Sequence, residues 1–254
     1  MDDLTLAVTL ARAAGNLAYG MRERSLGVDT KGHASEVVTA ADRAAEDLVV
    51  RALAEERPND GLLGEEGAGI GSRSGRTWVV DPIDGTWNYI HGLPTWCAAV
   101  ALRDDATGLG LAAAVYQPTT DTVWFAGEGF ATTVSVAGVT TPVALDDAPL
   151  AKVSVATYLH STTTGALLDT WVQIAQTGAT VRLLGSGSVD LAYVAEGRLG
   201  VFAQPDVSDW DWLPGATLVR GAGGTAEVVE HQGHRWHLAG PPSAVADLRT
   251  AVKA

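Results

Sequence analysis

Beyond residue 150 the apolar residues of this 254-residue chain repeatedly change period, and that alternation constrains the fold more than any other feature. Strand-like runs at 152–158, 181–185 and 199–204 each precede a helical pattern, at 164–176, 187–196 and 211–220. Strands near 225–230 and 235–239 and a last helix at 242–253 complete the series. Strand–helix alternation implies a partly parallel sheet with helices packed on its faces. The first half reads differently. Leu4, Ala7, Val8, Ala11, Ala14, Leu17, Ala18 and Met21 lie at helical spacing over residues 2–24, and a second helix runs from Thr39 to Arg57, where Pro58 stops it. Strand signals then follow one another at 77–81, 96–103, 109–116 and 121–126, which predicts an antiparallel sheet backed by the two helices. Residues 140–150 turn polar and proline-punctuated, so a break is expected between an N-terminal α+β half (1–145) and a C-terminal α/β half (146–254).

The totals bound the partners. A net charge of −13, with only three lysines (Lys31, Lys152, Lys253) and no basic cluster, argues against nucleic acid and anionic membranes. An anionic substrate would have to be attracted by something other than side-chain charge, and bound cations supply that. Cys97 is the single cysteine, set in the apolar run Trp96–Val100, so it reads as an inert buried thiol and no intrachain disulfide exists. The N-terminus is acidic where a signal peptide would be basic, and no apolar stretch reaches the length of a membrane span. A cytoplasmic location is expected.

Against this acidic background, several carboxylates fall where elements begin or end. The run Thr77-Trp78-Val79-Val80 delivers the chain into Asp81-Pro82-Ile83-Asp84-Gly85-Thr86. Those residues make good turn chemistry by themselves, since proline presets φ, aspartate accepts backbone N–H bonds and glycine tolerates positive φ. Asp42 follows Thr39 at capping-box spacing, Glu65 and Glu66 end a short apolar stretch, and Asp209 and Asp211 stand just ahead of a helix. Asp42 as a plain helix cap, Asp211 as a partner of the helix dipole and Glu66 as a solvated neighbour are the alternative readings. If the elements converge, Glu65, Asp81, Asp84 and Asp211 form the all-oxygen donor set that a hard cation such as Mg²⁺ requires.

Asp81-Pro82-Ile83-Asp84-Gly85-Thr86-x-Asn88-Tyr89 resembles the first signature of the inositol monophosphatase family, and Trp210-Asp211 followed by Gly223-Gly224 resembles the second. Residues 64–66 (GEE), 38–42 (VTAAD) and 185–200 (GSGSVDLAYVAEGRLG) match further blocks in the family's order. The resemblance implies a layered α/β/α/β/α sandwich, with an antiparallel N-terminal and a mixed C-terminal sheet, that hydrolyses phosphomonoesters. It implies two or three Mg²⁺ ions, with Mn²⁺ as a substitute, on Glu65, Asp81, the carbonyl of Ile83, Asp84 and Asp211. Asp42 and Thr86, with Glu65, are implied as the residues that orient and deprotonate the attacking water. Gly85 and Thr86 open a helix whose N–H groups suit a phosphate. Asp84, Gly185, Ser186, Gly187, Gln204 and Asp211 are implied at the substrate, a small phosphorylated molecule, and a homodimer is the expected assembly.

Three positions refine this expectation. Gln204 stands seven residues before Asp211, where relatives acting on inositol phosphates commonly have glutamate. Its neutral amide bonds hydroxyls but gives no charge-assisted bond to an amine. Inositol monophosphate is therefore favoured over histidinol phosphate, with fructose 1,6-bisphosphate and adenosine 3′,5′-bisphosphate as other substrates and a non-catalytic phosphate binder as a different class. Trp87 replaces a smaller residue and either covers the site or meets a second subunit. His231, His234 and His237 are spaced like a metal cluster, yet Gln232-Gly233 between strands predicts a hairpin that sends them apart.

Overall fold

The computed structural model of the protein describes residues 1–22, 28–30 and 37–253; residues 23 and 24, expected to end the first helix, lie outside these. Helix α1 (Asp3–Arg22) leads to the short antiparallel pair β1 (Val28–Thr30) and β2 (Val37–Thr39), and β2 runs directly into α2 (Ala40–Glu56). The chain then forms β3 (Gly61–Gly64), β4 (Gly69–Ile70), β5 (Arg76–Asp84), the one-turn α3 (Thr86–Ile90), β6 (Cys97–Asp104), β7 (Gly110–Gln117), β8 (Thr122–Gly127), β9 (Phe130–Val136) and β10 (Val139–Pro142). The eight strands from β3 onward make one sheet in the order β10-β9-β8-β7-β6-β5-β3-β4. After residues 143–153 come β11 (Ser154–Ala156), α4 (Gly165–Thr177), β12 (Thr180–Arg182), α5 (Gly187–Ala195), β13 (Val201–Pro205), α6 (Asp209–Gly221), β14 (Thr225–His231), β15 (His234–Gly240) and α7 (Pro242–Lys253). Their five strands form a second sheet, β12-β11-β13-β15-β14.

Side-chain alternation on the large sheet produces the layers. Along β6, Ala98, Val100 and Leu102 face α1 and α2, as do Ala112, Ala114 and Tyr116 of β7. The intervening Cys97, Ala99 and Val115 face the other way, against α5 and α6. The same inner core takes Phe202 from β13 and Ala239 from β15, so α5 and α6 lie between the two sheets. On the far side of the second sheet, Val155, Val201 and Leu238 bury against Ile174 of α4 and Val245 and Leu248 of α7. The result is α/β/α/β/α, as the resemblance implied.

Two expectations need correction. The N-terminal sheet is not wholly antiparallel, because β3 pairs parallel with β5. The chain reverses into β4 on the far edge of β3 and reverses again before β5, and two reversals restore the direction. The edge hairpin β9–β10 also escaped the sequence reading, although its Thr and Val content suits a strand. In the second sheet β11 pairs parallel with β12 and β13, while β15 runs antiparallel to β13 and β14. The hairpin at Gln232-Gly233 forms with both φ angles positive. It places His231 opposite His234, and His237 is buried beside Trp212, so the three histidines do not meet at one point.

Candidate active site

In a regular strand, residues three apart point to opposite faces, so Asp81 and Asp84 should diverge. They do not, because the β5–β6 register slips between them. Asp81 lies opposite Ala99 and Asp84 opposite Cys97, so the end of β5 carries one extra residue. The bulge falls at Pro82, which has no N–H to give a ladder. Ile83 turns into the core with Ala18 and Ala41, while both aspartates face the layer of α5 and α6. The Ile83 N–H donates to Asp81 Oδ1 at 3.0 Å and fixes the turn.

Asp211, half-buried in the first turn of α6, completes a cluster in which carboxylate oxygens of Asp81, Asp84 and Asp211 all lie within 4.8 Å of one another. Glu65 follows the end of β3, its N–H bonded to the carbonyl of Val80 at 3.2 Å, and its side chain hydrogen-bonds Asp81. Burial, then the negative charges of Glu65, Asp84 and Asp211, push the Asp81 carboxyl well above the usual carboxylate range. Burial also raises Asp84, against the pull of hydrogen bonds from Ser188, Ser186 and Gly187. The Gly187 N–H meets Asp84 Oδ1 at 3.2 Å and the Ser188 N–H meets Oδ2, so the N-terminus of α5 holds this carboxylate directly. Four mutually repelling carboxyls, two buried and two half-buried, offer only hard oxygen donors, and that fits Mg²⁺ or Mn²⁺ better than softer metals. Glu65, Asp81, Asp84 and Asp211 are the side chains that would hold such ions.

Asp42 is a helix cap and also meets Thr86. It closes the capping box of α2, accepting at Oδ2 from the Thr39 N–H at 2.8 Å and the Thr39 hydroxyl at 2.6 Å. Its Oδ1 receives the Thr86 hydroxyl at 3.2 Å, and that hydroxyl also lies 3.1 Å from the carbonyl of Ile83. Burial raises the Asp42 carboxyl, and the charge of Glu66 adds to the effect. Glu66 is thus half-buried and electrostatically linked to Asp42, not the solvated neighbour expected. Its loop is held by Glu46, which accepts the N–H groups of Glu66 at 2.8 Å and Ala68 at 3.0 Å.

Gly85 sits at φ +95°, and a Cβ there would come within 3.1 Å of the carbonyl oxygens of Gly185 and Thr95. Only glycine lets the chain turn from β5 into α3 while packing against the 185–187 loop. Asn88 ties the same contact, donating to the carbonyls of Thr95 at 2.6 Å and Leu184 at 2.7 Å. Together these segments frame a cleft of about 610 Å³ with Glu65, Thr86 and Asp211 in its lining. Trp87, 46 % exposed and stacked on His91 at 4.3 Å, forms part of its wall. A smaller hollow of about 140 Å³ adjoins Asp84, Asp211 and Gly185–Gly187 and contains Gln204 and Asp190. Cys97 is buried behind the carboxylates, its thiol pushed well above its usual range by burial and then by their charge.

The sequence reading missed Tyr158, His160 and Asp190. Tyr158 and His160 line the cleft from the loop after β11, where no periodicity or motif marks them. Asp190 was hidden as an ordinary polar position within a helical pattern. Its carboxyl is driven well above the usual range by burial and by Asp84.

Comparison with known proteins agrees with this geometry. Residues 2–251 match the inositol monophosphatase family. The chain is 36 % identical over 230 residues to a histidinol-phosphatase of Mycobacterium tuberculosis, covering 88 % of this chain and 86 % of that protein. It is 35 % identical over 226 residues to an inositol-1-monophosphatase of Rhizobium meliloti, covering 87 % and 83 %. The crystal structure of the extragenic suppressor protein suhB from Bartonella henselae superposes with a TM-score of 0.85 at 28 % identity, over 98 % of this chain and 97 % of that one. With the match running through both sheets and both ends of the carboxylate cluster, the chain belongs to the inositol monophosphatase family and is a phosphatase.

Proposed function

We propose that this protein is a Mg²⁺-dependent phosphatase of small polyol or sugar phosphomonoesters, with inositol monophosphate the favoured substrate. The observation that carries the reading is the largely buried Asp81–Asp84–Asp211 cluster, with half-buried Asp211 at its open side, beside a cleft. When bound there, the cations would supply the positive charge that a phosphate dianion needs and the polarisation that activates water. The chain's own residues do the rest. Thr86 Oγ1 already donates to Asp42 Oδ1, so a water donating to Thr86 Oγ1 can pass its proton on to Asp42. A carboxyl raised by burial is the better base near neutral pH. Gly85 and Thr86 line the cleft at the end of β5, where we place the phosphate. The water oxygen bonds to phosphorus as the ester oxygen leaves on the opposite side with the bonding pair. The leaving oxygen takes a proton from solvent water in the cleft, and the hydroxide left behind is neutralised by the proton that Asp42 gives up.

The substrate preference rests on Gln204, a neutral donor and acceptor in the hollow beside Asp84 and Asp211. Histidinol phosphate is the second reading, favoured by the 36 % identical relative that bears the histidinol-phosphatase name. The test is phosphate release from a panel of phosphomonoesters at fixed Mg²⁺. We expect the highest kcat/KM for inositol monophosphate, and loss of turnover in EDTA after metal stripping. In Gln204→Glu the ratio of histidinol phosphate to inositol phosphate should rise about tenfold, or about 1.4 kcal/mol. A native preference for histidinol phosphate overturns the substrate reading, and full turnover in EDTA overturns the metal reading.

A further inference from the structure

Asp190 stands in the first turn of α5 and is only 3 % exposed, yet helix capping does not account for it. The cap is Ser186, whose Oγ accepts the Val189 N–H at 3.3 Å, and Asp84 takes the N–H groups of Gly187 and Ser188. Asp190 Oδ1 is buried and has no hydrogen-bond partner among the described residues. A buried carboxyl oxygen without a partner has surrendered its hydration and received nothing in return, so its presence needs a reason outside the fold. Its location supplies one. Asp190 lines the hollow of about 140 Å³ together with Gln204, and Asp84 and Asp211 border the same space. At about 30 Å³ per water, the hollow holds roughly five waters or one hydroxylated edge of a small ring.

We propose that Asp190 is a specificity-determining residue for the leaving group, its carboxyl accepting a hydroxyl of the polyol while Gln204 bonds a neighbouring hydroxyl. The inference rests on the polyol-phosphate reading above and deepens it. Phosphate held at the carboxylate cluster leaves the alcohol part of the ester beside this hollow. A carboxyl acceptor next to an amide that both donates and accepts suits adjacent hydroxyls on a ring. A ring without hydroxyls would enter the hollow and leave buried Asp190 and half-buried Gln204 unpaired, and a site built to bond hydroxyls rejects such an analogue strongly.

The experiment compares kcat/KM for inositol 1-phosphate and cyclohexyl phosphate, the same ring without hydroxyls, on native protein and Asp190→Ala at fixed Mg²⁺. The native protein should favour the inositol ester by about a hundredfold or more. In Asp190→Ala that ratio should fall about tenfold. An unchanged ratio overturns the proposal, whether both rates drop together or neither does. A native protein that hydrolyses both esters equally takes down the polyol reading itself. A second measurement does not depend on the variant folding: a crystal structure of the native protein with inositol monophosphate and Ca²⁺. It should show a substrate hydroxyl within about 3.2 Å of the Asp190 carboxyl. A ring whose hydroxyls all lie outside the hollow overturns the assignment.

Discussion

Asp84 does three things at once: it ends β5, accepts the first N–H groups of α5 and contributes to the carboxylate cluster. Replacing it with asparagine keeps the shape but removes the charge and puts an amide N–H where donors already point. Asp84→Asn should lower kcat/KM by a hundredfold or more, since even indirect partners of a metal site cost about ten- to a hundredfold. Glu66→Gln should act differently. Its charge raises the Asp42 carboxyl, so the neutral variant should turn over at a comparable maximal rate with its acidic pH limb shifted to lower pH. Steady-state profiles from pH 5 to 9 check both. A collapse of turnover in folded Glu66→Gln would mean that Glu66, not Glu65, serves the cluster.

The elements that carry these residues meet through α5 and α6, packed between the two sheets. Helix α5 brings the donors for Asp84 and helix α6 brings Asp211, so the spacing of the two helices sets the spacing of the site. At Gly215 the two helices approach closely. A Cβ built on it would lie 2.2 Å from the Cβ of Leu191, a distance no packed pair adopts. Gly215→Ala should therefore cost about 1–3 kcal/mol through overpacking, lowering the urea midpoint. It should also weaken metal binding, because the helices must part to admit the methyl group. Chemical denaturation together with Mg²⁺ titration tests the link. An unchanged midpoint with unchanged metal affinity would show that the helix spacing is not limiting.

For the molecule as a whole, the site is a stored electrostatic cost. Burial pushes Asp42, Asp81 and Asp84 above 3.8 in the folded state, with like-charge repulsion adding to it at Asp81. The metal-free folded protein therefore binds more protons than the unfolded chain at pH values between 3.8 and the raised values. Stability from these groups is fully present below about 3.8 and is lost as pH rises through that window. Cations bind the deprotonated cluster, so their stabilisation must grow in the same direction. At about a hundred times the dissociation constant, Mg²⁺ should add about 2.7 kcal/mol, a Tm rise of roughly 5–10 °C for a domain of this size. Thermal scans at pH 5 and pH 7.5, with one Mg²⁺ concentration held at both, check the sign: the rise should be clearly larger at pH 7.5. An equal rise at both values would place the bound ions away from these carboxylates.

Local rules made much of this protein readable from its sequence. The 3.6-residue periodicity of Ala7, Ala11, Ala14 and Ala18, the alternation along β6 and β7, and the strand–helix alternation after residue 150 follow from which side chains water rejects. The cap at Thr39 follows from the unpaired N–H groups of a helix start, and the hairpin at Gln232-Gly233 from turn chemistry. The carboxylates were visible as chemistry at element ends, but not as neighbours. Their meeting depends on a bulge at Pro82 that turns Asp81 and Asp84 to one face, on two reversals that lay β3 parallel to β5, and on the close approach of α5 to α6 at Gly215. The cleft loop with Tyr158 and His160 and the unpartnered carboxyl of Asp190 left no signal in sequence at all. Periodicity reports how each element divides between core and water. Which polar groups end up facing one another is decided by contacts between residues far apart in the chain, and only the tertiary structure holds those.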